Sequence, residues 1–143
     1  FTPMPTPRPT STNTPLPSVT FTVKFSGLTK CSDLGWASNF TITNTGSIVL
    51  QSLKITYGTA EDTDPHVYQS NDFIQWSGGT KHAVLAQVNK GVTAIVSTCN
   101  DTDSQSYFHN DPSGKVINAT ILICPQDDLK GACTSADLTF TPD

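Results

Sequence analysis

Residues 19–25 read VTFTVKF, from Val19 to Phe25. Phe21, Val23 and Phe25 fall on one side of an extended chain and Thr20, Thr22 and Lys24 on the other, the period-two alternation of a half-buried strand. Upstream the pattern is abruptly different: residues 1–18 hold six of the ten prolines, with threonine in most of the gaps. A segment of that kind builds no core, favours polyproline II and serves as a stalk, spacer or O-glycosylated leash. The chain therefore divides into a Pro/Thr-rich extended tail or linker at 1–18 and a β domain at 19–143.

Downstream of Phe25, strand-like runs alternate with turn punctuation. They cover residues 36–44 before NTGS, 48–57, 72–76 before SGGT, 81–88 before NKG, 92–99, 115–124 and 136–141. No window has helical periodicity. Seven or eight short strands at this spacing predict an all-β fold, an antiparallel sandwich. Its inner faces are expected to include Phe40 and Ile42, then Leu53, Ile55 and Tyr57, then Ile95, Ile117, Ile121 and Ile123, and finally Leu138 and Phe140. Trp36, in phase with Phe40 and Ile42, is read as core.

Charged residues make up 14% of the chain, below the roughly 25% usual for soluble domains, whereas Ser and Thr number 36. Hydroxyls have taken over the solubilising role, as is common on secreted and surface proteins. The net charge of −4 and eight scattered Lys and Arg residues exclude a polyanion-binding role, so no nucleic-acid partner is expected. No apolar run approaches the roughly 20 residues of a membrane span. The chain begins at Phe1 rather than Met, which is expected of a processed or excised chain.

Cys31, Cys99, Cys124 and Cys133 allow three complete pairings. Cys124 and Cys133 bracket CPQDDLKGAC, a turn-rich segment in which a local bridge is geometrically easy, and Cys31 would then pair with Cys99. Zinc sites usually contain close pairs such as C-x2-C, and none occurs here, so disulfides and an oxidising compartment are expected rather than a metal. Three N-x-S/T sequons begin at Asn39, Asn100 and Asn118 and are candidate N-glycosylation sites. Strand alternation points Asn39 and Asn118 away from the core.

The stretch NFTITNTGSIVLQSLKIT (39–56), followed by VNKGVTAIVSTC (88–99), resembles the Asn-x-Gly turn and Gly-x-Thr strand start of immunoglobulin-like surface repeats in bacteria and archaea. The first stretch also resembles bacterial cellulose-binding sandwich modules. The resemblance spans roughly residues 19–99 and implies an immunoglobulin-like β-sandwich of a modular secreted or cell-surface protein.

No catalytic set stands out. Acids cluster in AEDTDP (Glu61, Asp62, Asp64) and CNDTDS (Asp101, Asp103), where alternate carboxylates can serve a calcium loop or cap solvated turns. His66, His82 and His109 lack the spacing of a shared metal site. No nucleophile elbow or phosphate-binding loop is present. A non-enzyme without cofactor or metal is expected. Sugar rings stack on exposed aromatic faces; Trp76, beside SGG, and the pair Tyr107 and Phe108 are the candidates for such contacts.

Two functions follow as expectations. The first is a structural subunit of an extracellular or cell-surface assembly, a homopolymer or filament in which the tail docks on a neighbouring copy, with Phe1, Met4 and Leu16 as apolar anchors. The alternative is a carbohydrate-binding or adhesive module whose partner is a polysaccharide.

Overall fold

A computed structural model describes Pro3 and residues 17–143. The tail anchors Phe1, Met4 and Leu16 lie outside the described residues.

The described chain is all-β, with nine antiparallel strands: β1 (Phe21–Cys31), β2 (Gly35–Asn44), β3 (Ser52–Thr59), β4 (His66–Ser70), β5 (Phe73–Ser77), β6 (Thr80–Leu85), β7 (Thr93–Ser97), β8 (Ile117–Cys124) and β9 (Thr134–Phe140). One sheet has the order β1-β2-β7, a second β4-β3-β8-β9, and β5 pairs with β6 in a separate hairpin. The core is shared between the two sheets: Phe40 and Ile42 of β2 and Val96 of β7 belong to one buried cluster with Leu53 and Ile55 of β3 and Ile121 and Ile123 of β8. Phe25 stacks on Phe140, and Phe40 meets both edge-on, which closes the cluster between β1 and β9.

The alternation of VTFTVKF extends into a longer strand than residues 19–25 predict. Phe25 faces Phe40 and Gly27 faces Asn39, so Ser26 is the extra residue of a bulge. Gly27 has φ 131°, a conformation that glycine adopts without steric cost. The bulge reverses the phase and carries β1 on to Cys31.

Three sequence expectations are corrected. Nine strands replace seven or eight, because His66–Ser70 forms β4, whose pairing with β3 sets Tyr68 opposite Ile55. Ile95 is not an inner residue: β7 pairs Val96 with Phe40 and Ala94 with Ile42, so those two are buried and Ile95 takes the other face. Trp36 is half-buried at the margin of the core, with the Lys30 ammonium 4.4 Å from its ring centroid.

The domain has two poles. At the first, Thr20, where the described chain meets β1, accepts a hydrogen bond from the Thr45 amide at 3.1 Å. The buried Asn44 organises this end: its Nδ2 donates to the carbonyls of Ile48 (2.8 Å) and Val88 (3.0 Å), and its Oδ1 accepts from the Gly46 amide (3.0 Å). The NTGS motif is thus a structural turn. The second pole carries the β1–β2 turn, the β5–β6 turn and the loops 60–65 and 98–116.

Candidate interaction surface

The β5–β6 hairpin is held through β5, whose Phe73 enters the main core and whose Trp76 makes specific contacts with β7 and β2. The Trp76 amide donates to the Ser97 hydroxyl at 2.8 Å, and that hydroxyl donates in turn to Asn39 Oδ1. A bulge between Gln75 and Trp76 turns the indole onto a second buried cluster with Cys31, Ala37, Cys99 and Tyr107. The Cys31–Cys99 disulfide lies at the heart of that cluster, and Cys124–Cys133 bridges the segment between β8 and β9. The two bonds take up all four cysteines.

β6 has no such cover. All six of its residues are exposed, and among the described residues it pairs with β5 alone. Val84 is 54% and Leu85 39% exposed. Among the described residues, then, one edge and both faces of β6 are open; its first half, Thr80 to His82, is polar and carries Lys81, and its second half, Ala83 to Leu85, is apolar, a stretch that natural proteins usually blunt with charge, proline or a covering element. Sequence reading took residues 81–88 as an ordinary strand. The signal lay in Ala83-Val84-Leu85-Ala86, an apolar run without the polar alternation of the other strands.

At the second pole, polar groups are engaged in building loops. Asp62 Oδ2 accepts from the Thr59 amide (2.7 Å) and hydroxyl (3.1 Å), and Oδ1 lies 3.6 Å from His66 Nε2. Partial burial pushes the Asp62 carboxyl up, but Thr59 and His66 outweigh it and hold it below the usual carboxylate range. The His66 ring packs between Tyr57 and Phe108 and donates from Nδ1 to the Gln105 carbonyl at 3.3 Å. Asp103 caps the 3-10 turn Ser104–Ser106. Among the described residues no group of three His, Cys, Asp or Glu side chains is arranged to hold a metal.

The aromatic candidates for sugar contact are buried. Trp76, Tyr107 and Phe108 are each no more than 5% exposed, which corrects their reading as surface residues. Phe108 and Trp36 exchange backbone hydrogen bonds (2.7 and 2.9 Å), and Gly35 lies so close to this segment that a Cβ there would stand 2.2 Å from the Phe108 carbonyl. A polar groove of about 640 Å³ does open on the outer face of the second sheet, over Gly58 and among Thr56, Asn118, Thr120, Asp137 and Thr139. In it Thr120 donates to Asp137 and Thr139 to Asn118, each at 2.8 Å. A smaller pocket of about 170 Å³ lies between β4, β5 and Asn100, with Tyr68 and Trp76 in its wall.

The three sequons differ in setting. Asn39 is half-buried and engaged by Ser97. Asn100 is exposed, its Oδ1 accepting from the Thr102 amide and hydroxyl, and Asn118 is exposed beside the groove.

Among the described residues no helix is long and apolar enough to cross a membrane. Comparison with models of protein families found no match, and neither did comparison with curated proteins or with solved structures.

Proposed function

We propose that this chain is a non-catalytic structural subunit of an extracellular or cell-surface assembly, built on an immunoglobulin-like sandwich whose N-terminal tail docks on a neighbouring copy. The order β1-β2-β7 against β4-β3-β8-β9 supports the immunoglobulin-like assignment, because a first hairpin in one sheet crosses to the second and returns through β7. Two disulfides support an oxidising compartment. The observation that carries the reading is the β6 edge, which no other described residue pairs with and which exposes Val84 and Leu85. Exposed Asn100 and Asn118 are its glycan sites.

Electron microscopy and mass determination on native, unreduced material test this. Regular filaments, with mass above that of the polypeptide, are expected, and removal of residues 1–18 disperses them. Monomers in the intact material would overturn the proposal.

The polar groove carries a second reading, as a carbohydrate-binding module that uses hydroxyl, amide and carboxylate groups rather than aromatic stacking. On that reading Asp137→Ala weakens retention in polysaccharide affinity gels. Unchanged mobility of the intact protein in a panel of such gels would sink it.

A further inference from the structure

The prolines of the tail obey a parity rule. All six in residues 1–18, Pro3, Pro5, Pro7, Pro9, Pro15 and Pro17, occupy odd positions. In an extended strand the N–H and C=O of one residue point to one edge and those of the next to the other, so every missing donor would fall on the same edge. The even edge, with Thr2, Met4, Thr6, Arg8 and Thr10, keeps all its donors and acceptors. Each residue before a proline is biased towards extended conformations, which prepares those even positions for pairing. Proline is tolerated in sheets where its nitrogen side faces outward, and such an edge cannot recruit a further strand.

Resting on the structural-subunit reading, we infer that residues 2–10 of one copy add to the open edge of β6 of the next copy, antiparallel, through their even-numbered backbone groups. The direction follows from the poles. β6 starts at the second pole, where Gly79 lies against the Ser32 carbonyl (3.1 Å from an added Cβ), and runs towards the first, where Val88 exchanges hydrogen bonds with Leu50 and accepts one from Asn44. The tail joins its own domain at the first pole, where the Val19 carbonyl accepts from Thr134 at 2.8 Å.

A tail folding straight back along its own β6 would therefore run parallel to it. An antiparallel donor must instead come from a domain beyond the second pole, and antiparallel pairing is slightly more stable per residue. Residues 11–18 would then span the junction, reaching about 25 Å when extended. The first pole of the donor faces the second pole of the acceptor, a heterologous contact that can repeat from copy to copy.

Hydrogen exchange and sedimentation on the full chain test the assignment. The expected result is association with concentration, accompanied by slowed exchange of the β6 amides. Thr6→Pro with Arg8→Pro, which places proline on the pairing edge, is expected to weaken association roughly tenfold or more. Pro7→Thr leaves it unchanged. Assembly that ignores the even-edge prolines, or leaves β6 exchanging freely, overturns the edge assignment but not the subunit reading. Association that stops at a dimer and survives loss of residues 1–18 means β6 pairs with itself, and slowed β6 exchange that persists on dilution means the tail pairs within one copy; either overturns the inference. A chain that stays monomeric at all concentrations with free β6 amides removes both proposals.

Discussion

The backbone amide of Trp76 hangs on the side-chain hydroxyl of Ser97, 2.8 Å away, where a ladder partner would ordinarily stand. Through this contact the hairpin that carries β6 is fixed beside β7, and the same hydroxyl holds Asn39. Ser97→Ala leaves a buried amide without a partner. The expected loss is about 1–3 kcal/mol in urea unfolding, together with faster hydrogen exchange across β5 and β6. Unchanged exchange there would show that the indole packing alone holds the hairpin.

Asn44 joins three segments of the first pole through its carboxamide. Asn44→Ala takes the Asn44 partner from the Ile48 carbonyl and the Gly46 amide and one of two donors from the Val88 carbonyl, which keeps the Leu50 amide, and a loss of about 2–3 kcal/mol is expected. Thermal unfolding measures it. A substitution at exposed Thr45, in the same turn, is expected to stay within about 0.5 kcal/mol of the parent.

The disulfides differ in the length of chain they close, 68 residues for Cys31–Cys99 and 9 for Cys124–Cys133. Chain entropy assigns them about 4 and about 2.5 kcal/mol. The double serine variant at 31 and 99 also places hydroxyls in the Trp76 and Tyr107 cluster. It should therefore unfold at distinctly lower denaturant than the variant at 124 and 133. The reverse order would refute the loop-length argument.

Burial raises the phenol of Tyr57 far above its ordinary value and that of Tyr68 to about 12. Tyr57 donates to the Ser106 carbonyl, whereas the Tyr68 hydroxyl is buried with no close hydrogen-bond partner among the described residues. Since the unfolded phenols release their protons near pH 10, unfolding gains from ionisation above that pH. Stability is expected to be intact from these groups below pH 10 and to fall between about 10 and 12 as pH rises. Melting temperature against pH checks the fall, and absorbance near 295 nm should show both phenols ionising together with unfolding. A pH-independent melting temperature across that window would contradict it.

Much of this architecture was legible in residue order. Period-two alternation placed Phe40, Ile42, Leu53, Ile55, Ile121 and Ile123 on inner faces, because a strand has only two sides and one of each was polar. The local Cys124–Cys133 spacing was readable because a turn of that length brings its ends together. Alternation does not say what lies on the other side of a strand, and that is where tertiary structure decided. Ile95 lost the core to Ala94 and Val96 through the register of β7 on β2. Trp76, Tyr107 and Phe108 stand in turn-rich segments that look exposed, yet the Cys31–Cys99 bond, 68 residues in span, and the close approach at Gly35 gather them inside. β6 shows the converse, since its apolar residues are left uncovered only because no described segment returns to that edge. Pairing preferences are local and travel with the sequence, whereas burial depends on which distant elements arrive to cover a face.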